Sequence, residues 1–172
     1  MRGLRLIWDP IKGQADLGVL NGALDTTHVL ETMVIMSLFS DRRAEASDAF
    51  PFGSNLPPID PRGWWGDSFP PVPNWKLGSR LWLLQGGRAL PKLPLVARGF
   101  ILESLAWMIE DNVAGAVDAK CWFDPQNRRK LDCRVTLAAP PANSPFLGIW
   151  RAALGLAAND NFNFANIVQL AA

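Results

Sequence analysis

The stretch from Ala116 to Ala138, AVDAKCWFDPQNRRKLDCRVTLA, decides the fold, because two alternating segments flank a turn sequence within it. The turn signal is DPQNRR, residues 124–129. If the hairpin folds symmetrically about Asn127, Cys121 faces Cys133 across the ladder. The same register pairs Phe123 with Leu131, Ala119 with Val135 and Val117 with Leu137, all on one face. The pattern predicts an antiparallel hairpin with one buried side.

The cysteines of this hairpin are predicted to be small buried hydrophobic residues with reduced thiols. Cytosolic thiols stay reduced, and free cysteine packs as a small apolar side chain. The chain has 2 cysteines and 1 histidine, His28. These cannot complete a tetrahedral zinc site without carboxylates, so we predict neither a metal nor a cofactor.

A long helix is predicted before the hairpin, from about Leu93 to Asn112. Its apolar face is formed by Phe100, Ile101, Leu105, Met108 and Ile109. A shorter helix from about His28 to Phe39 follows N-cap oxygens in residues 25–27. Leu30, Met33, Val34, Ser37 and Leu38 fall on one side of it.

Strand candidates lie near both ends of the chain. Leu4 to Trp8 is the first, and Asn21-Gly22 is a strong turn dipeptide. Phe146 to Ala153 is a further possible strand. The fold class is therefore α+β: two main helices packed on a small, mostly antiparallel sheet with a C-terminal hairpin and a long Pro/Trp-rich loop.

The stretch from Pro51 to Pro73 is the most unusual part of the chain. It holds half of the 14 prolines together with several aromatic residues. Such proline density forbids a regular helix or a central strand, whereas disordered segments are usually poor in aromatic residues. We predict an ordered loop over residues 51–77 whose rings dock either on its own domain or on a neighbour. Residues 1–155 form a single domain, and residues 156–172 an extended C-terminal tail.

Composition favours a subunit of a larger complex. The chain of 172 residues is 49% apolar and 19% charged, so part of its apolar surface is available for partners. The net charge of +1 gives no electrostatic signature of nucleic acid or membrane binding. No signal peptide is visible, and the longest apolar stretch, Val29 to Phe39, is too short to span a bilayer. The protein is expected to stay in the cytoplasm until it is assembled.

Catalytic patterns are missing from the sequence. There is no nucleophile elbow, phosphate-binding loop or zinc-protease motif. Glu103 and Glu110 flank Trp107 and lie about 10 Å apart on a helix. That separation slightly exceeds the ~6.5–9.5 Å of inverting glycosidases, and a charged helix stripe is usually the solvated side. We predict that the protein is not an enzyme.

Three segments concentrate Arg, Trp, Gly and Asp: residues 41–43, 60–67 and 78–82. Arg pairs with carboxylates and stacks on indole, and both Arg and Trp are enriched at interface hot spots. The segments form either an internal network or an interface. The candidate interaction residues are Arg42, Arg43, Arg62, Trp64, Trp65, Asp67, Arg80 and Trp82, with Phe162 and Phe164 in the tail. An alternative is a carbohydrate-binding module with Trp64, Trp65 and Trp75 as stacking platforms.

The same segments resemble the phage Mu gene product 46 family of tail baseplate proteins. The matching pieces, from about Trp8 to Trp150, are DL at 16–17, SLFSDRRA at 37–44, RGWWGD at 62–67, GSRLWLL at 78–84, ESLAWMIED at 103–111 and the hairpin. The Pro-rich stretches and the Asn/Phe tail lie outside the resemblance.

The family is similar in role to the T4-type wedge subunit known as the sheath initiator. The resemblance implies six copies around the virion tail, contacts with other wedge proteins, with the tail sheath protein and with tube or hub proteins, and a strand platform for the first sheath ring. An exposed sheet edge suits such contacts, since an extended arm can add a strand to it. The tail of this chain is itself a candidate arm that orders on assembly.

Overall fold

The computed structural model describes residues 3–9, 12, 14–26, 29–48, 62–70, 72–73, 75–84, 90–127 and 130–146, and the backbone of 162–171. The elements in chain order are β1 (Leu6–Asp9), β2 (Gln14–Leu17), β3 (Val19–Leu20), β4 (Ala23–Leu24), α1 (Val29–Phe39), 3₁₀ helices at Trp65–Ser68 and Leu81–Leu84, α2 (Leu93–Glu110), β5 (Ala116–Phe123), β6 (Lys130–Ala138) and β7 (Phe162–Ala171). The predicted α+β class is confirmed.

The hairpin β5–β6 has the predicted register. Cys121 lies opposite Cys133, and the other predicted pairs are Phe123 with Leu131, Ala119 with Val135 and Val117 with Leu137. The β6 members of these pairs are almost completely buried, as is Ala119. Alternation with a period of two therefore identified the face that packs on the core.

The two hairpin cysteines differ from the expectation of reduced thiols. The structure joins Cys121 and Cys133 in a disulfide, with their Cα atoms 4.1 Å apart. The two residues are directly opposed on neighbouring antiparallel strands, the arrangement in which residues of two strands come closest. The prediction was based on the redox state of the cytosol, whereas strand register brings the two sulfur atoms together.

The C-terminal tail forms a third strand. β7 pairs antiparallel with β6, from Lys130 opposite Ala171 to Leu137 opposite Phe162, with an irregularity between Cys133 and Val135. The sheet order is β5-β6-β7. The tail was expected to order on assembly, but here it pairs with the chain's own hairpin. Most of the predicted strand at Phe146 to Ala153 lies outside the described residues, as does His28.

The two helices and the hairpin enclose the core. Val34 on α1, and Ile101, Leu105 and Met108 on α2, are fully buried and pack with β6 in one cluster. Ile109 was predicted on the same face of α2 but is 46% exposed. It lies about 80° around the helix from Ile101, past the edge of the buried stripe.

The N-terminal strands form two small ribbons beside α1. β1 pairs with β2, and β3 with β4 through Asn21-Gly22, both at positive φ as the predicted turn requires. Thr32 on α1 holds the first ribbon: its hydroxyl donates to the carbonyl of Leu4 and accepts from the N–H of Leu6, both at 2.8 Å. No helix in the described part of the chain has the length and apolar character of a membrane span.

Candidate interaction surface

Backbone hydrogen bonds join the segment after α1 to the segment before the second 3₁₀ helix. The N–H of Arg42 donates to the carbonyl of Ser79 at 3.0 Å, and the N–H of Ser79 donates to the carbonyl of Ser40 at 2.9 Å. Gly78 has φ +95°, and a Cβ there would collide with the carbonyl of Ser40. Only glycine fits this close crossing. Two of the three Arg/Trp segments are thus connected through their backbones.

Arg80 is the centre of an ion-pair network between these segments and α2. Its Nη1 donates to both carboxylate oxygens of Asp48, at 2.8 and 3.0 Å, and its Nη2 and Nε donate to Oε2 of Glu103, at 2.7 and 3.2 Å. Burial lowers the pKa of the Arg80 guanidinium, but the hydrogen bonds and charges of Glu103 and Asp48 raise it more, so the net pKa lies above its usual value. Nη1 of Arg42 lies 3.3 Å from Oε1 of Glu103. One glutamate therefore connects two arginines.

Trp82 anchors the outer segment to this network. Its indole is buried, and Nε1 donates to the carbonyl of Arg42 at 2.8 Å. The guanidinium of Arg62 lies over the Trp82 ring, 4.9 Å from its centroid, and forms a 2.7 Å ion pair with Asp41. The segment that carries Trp64 and Trp65 is thereby attached to the framework through a stacked arginine.

The first 3₁₀ helix presents the tryptophans. The ring of Trp64 lies directly over Gly66, where a side chain would collide with it. Oδ1 of Asp67 accepts a hydrogen bond from the N–H of Leu77 at 3.1 Å, which ties this helix to the chain that follows it. Trp64 and Trp65 are 5.5 Å apart at an angle of 49°. Their rings are inclined, and so they do not form the flat platform that the carbohydrate-binding alternative would use.

An exposed apolar surface extends along this segment, and we call Trp64, Trp65, Phe69 and Val72 the 64–72 patch. Trp65 is 77% exposed, Phe69 83% and Val72 58%. The sequence places Phe69 among the aromatic residues of the Pro-rich stretch that are expected to dock, but neither Phe69 nor Val72 is among the candidate interaction residues. Their position among prolines was the sequence signal for their exposure. The prolines exclude a regular helix or strand here, so these apolar side chains cannot be buried on the face of one.

The predicted residues therefore divide into two groups. Arg42, Asp67, Arg80 and Trp82 are buried or half-buried and belong to the internal framework, whereas Arg62, Trp64 and Trp65 lie outside it. Arg43 is exposed, and its Cβ would contact a side chain placed at Gly63. The internal and the interface interpretations thus describe different layers of the same segments.

The two tail phenylalanines are not part of this framework. Phe162 and Phe164 lie on β7, opposite Leu137 and Val135 of β6. Asn163 between them lies opposite Thr136. The structure therefore places them at the C-terminal strand instead of the Arg/Trp segments.

The sequence profile of a family described as phage protein GP46 matches residues 30–144. This chain belongs to that family. It is 42% identical over 119 residues to "Baseplate protein gp46" of Escherichia phage Mu, which covers 69% of this chain and 74% of the relative. It is 32% identical over 117 residues to "Mu-like prophage FluMu protein gp46" of Haemophilus influenzae, which covers 68% and 73%. The resemblance found in the sequence is confirmed.

The part of the chain that matches the GP46 family contains the whole framework. Residues 30–144 include nearly all of α1, both 3₁₀ helices, α2, β5 and β6, and therefore every contact of Arg80 and Trp82 described above. β1 to β4 and β7 lie outside the matched span. The GP46 core is thus the helix–hairpin body with its Arg/Trp segments.

The carboxylates considered for catalysis in this GP46 chain have different surroundings. Glu103 is held by Arg80 and Arg42, while Glu110 is exposed on the last turn of α2. Among the described residues, no group of three or more His, Cys, Asp or Glu side chains could hold a metal ion. The geometry of Glu103 accounts for it as a structural link between α2 and the two Arg segments.

Proposed function

We propose that this chain is a structural subunit of a contractile phage tail baseplate, a wedge protein that is carried in the virion and has no catalytic role. Its membership of the GP46 family and its relation to the Mu baseplate protein support this role. The observation that carries the proposal is the 64–72 patch, because several large apolar side chains are exposed on a segment held by a half-buried ionic framework.

The 64–72 patch suits contact with another protein. Burying an exposed aromatic side chain removes roughly 150–250 Å² from water, and tryptophan is among the commonest hot-spot residues. The ring of Trp64 is fixed over Gly66, and Arg62 is stacked on Trp82. Less side-chain freedom is then lost when a partner binds, which favours affinity.

The partners in this proposal are other wedge proteins, the tail sheath protein and tube or hub proteins, with six copies of the chain around the tail. The 64–72 patch binds another wedge protein. The three-stranded sheet binds the sheath protein, since its outer strands β5 and β7 are edges to which an extended arm can add a further strand. In this role the chain nucleates or anchors the sheath.

Comparison of particles with and without the chain tests the proposal. Particles are produced from the strain that encodes the chain, from a deletion of its gene, and from the deletion complemented with the Trp65→Ala chain. We expect quantitative mass spectrometry to find the wild-type chain in purified tails. The deletion strain should produce no contractile tails, and complementation with the Trp65→Ala chain should not restore them. Normal tails from the deletion strain would refute the baseplate role.

A further inference from the structure

The outer face of α2 carries an apolar stripe that is largely exposed, although its central Leu102 also packs against the core cluster. Its members are spaced alternately by four and three residues: Leu95, Gly99, Leu102, Ala106 and Ile109. Leu95 is 71% exposed and Ile109 46%, Gly99 is exposed, and the other two are half-buried. At a rise of 1.5 Å per residue the stripe is about 21 Å long.

This stripe is separate from the buried face of the same helix. The core face consists of Ala97, Ile101, Leu105 and Met108, each completely buried. At about 100° per residue, the centre of the stripe lies about 130° around the helix from the centre of that face. α1 packs on another side of α2, where Nε1 of Trp107 donates to Oγ of Ser37 at 3.1 Å. The spacing of four and three is that of a helix seam that packs on a second helix.

Gly99 supports a close neighbour on this stripe. It lies in the interior of an 18-residue helix, where glycine is less favourable than alanine. A Cβ built on Gly99 would meet no atom within 4 Å among the parts of the chain that the structure describes. Crowding within the fold therefore does not explain the glycine. A glycine within an apolar stripe allows the backbone of another helix to approach.

The charges at the two ends of the stripe indicate the direction of that helix. Lys92 is exposed at the N-terminal end of α2, and Glu110 is exposed at its C-terminal end, each about 60° around the helix from the centre of the stripe. This order opposes the dipole of α2 itself, which favours acidic groups at its own N-terminus and basic groups at its C-terminus. A neighbouring antiparallel helix presents its positive end to Glu110 and its negative end to Lys92.

We propose that the stripe of α2 is the docking site of an antiparallel amphipathic helix from a different protein of the particle. Its apolar side contacts Leu95, Leu102 and Ile109, and its backbone crosses near Gly99. The choice of a different protein rests on the proposed function: subunits around a tail axis all point the same way, and this excludes the two-fold pairing of two α2 helices.

Photo-crosslinking in purified particles tests this docking. The full chain carries p-benzoylphenylalanine in place of Leu95 or, in a separate control, in place of the exposed Met36 on α1. We expect the residue at 95, and not the one at 36, to crosslink to a different particle protein, at a segment with apolar residues every three or four positions. A crosslink from 95 to a second copy of this chain, or no crosslink from 95 in particles that contain the chain, would overturn the docking site and leave the proposed function intact. Absence of the chain from the particles would overturn both.

A matched pair of substitutions gives an independent readout. Gly99→Gln adds a better helix former with an exposed side chain, so we expect a higher Tm for the purified full-length chain. The same variant should enter particles at least ~10-fold less often, because the side chain blocks the helix crossing. Met36→Gln, at an exposed apolar position on α1, is the control and should enter normally. Normal entry of the Gly99→Gln chain would contradict the docking site.

Discussion

Arg80 and Glu103 form a two-point ion pair between the start of the second 3₁₀ helix and the middle of α2, with Nη2 and Nε of Arg80 at 2.7 and 3.2 Å from Oε2 of Glu103. The side chain of Arg80 is 15% exposed, and Asp48, its second partner, is 11% exposed. This relationship fixes the segment that carries Trp82, and through Trp82 and Arg62 it supports the 64–72 patch.

Removal of Arg80 should destabilise the whole domain. Arg80→Ala leaves Asp48 and Glu103 half-buried without their main partner, and we expect a loss of about 1–3 kcal/mol in the free energy of unfolding. Urea denaturation of the purified chain measures it. Lys12→Ala, which breaks an exposed pair with Asp9, should change stability by less than about 1 kcal/mol. Equal effects of the two substitutions would show that the Arg80 network is not a framework.

Two glycines at positive φ should respond differently to alanine. Gly22 has φ +78° with open space around the position of a Cβ, so Gly22→Ala should cost about 1–2 kcal/mol from backbone conformation alone. Gly78 has φ +95°, and its Cβ would also collide with the carbonyl of Ser40. Gly78→Ala should therefore cost a further ~1–3 kcal/mol, measured as the difference in urea midpoints. A smaller loss for Gly78→Ala than for Gly22→Ala would contradict the described crossing.

The disulfide of the hairpin should contribute to stability. Cys121 and Cys133 are separated by 12 positions, and closure of a loop of this size stabilises a fold by about 3 kcal/mol in the chain-entropy account. We expect a reductant to lower the Tm of the wild-type chain and to leave a double Cys→Ala variant unchanged. An unchanged Tm of the wild type would instead support the reduced thiols expected from the cysteine pattern.

Trp65→Ala should separate stability from assembly. The side chain is 77% exposed, so its removal should change the free energy of unfolding by no more than about 0.5 kcal/mol. Entry into tails should nevertheless be lost, while Trp65→Phe should retain part of it. If the Trp65→Ala chain entered tails normally but no longer showed a fluorescence change with oligosaccharides, the carbohydrate-binding alternative would replace the interface.

Deletion of residues 162–172 should expose the edge of β6 without unfolding the core. The buried cluster is supplied by α1, α2, β5 and β6, so we expect the circular dichroism of the helices to persist. The uncovered strand edge should cause self-association or loss of sheath attachment. Size-exclusion chromatography and electron microscopy of complemented particles report these effects. Normal sheath attachment by the shortened chain would eliminate any role for β7 in assembly.

Periodic features of the fold were predictable from the sequence. The register of β5 and β6, and the limits of both helices to within a few residues, follow from local repeats of two and of 3.6 residues. Ile109 was wrongly assigned to the core face because apolar character alone does not distinguish the edge of a buried stripe from a second stripe. Ile109 can be assigned to the second stripe only once its exposure is compared with that of Leu95 and Gly99.

Non-local features of the candidate site were not predictable in the same way. The sequence identified Arg42, Arg80 and Trp82 as residue types suited to contact, but the pairing of Arg80 with Glu103 joins positions 23 residues apart. Such pairing depends on how α2 packs, and no local pattern encodes that packing. Strand β7 was missed for a related reason, since its partner β6 precedes it by a long connection. The sequence thus named most residues of the candidate surface but could not assign them to inner and outer layers.

Direct localisation of the chain in purified particles is the most direct test of the baseplate role. Antibodies raised against the full chain and detected with gold should label one end of the contractile tail, at the junction of sheath and baseplate, and should not label particles from the deletion strain. Label confined to heads or to the sheath along its length, or an absence of the chain from intact particles, would contradict it.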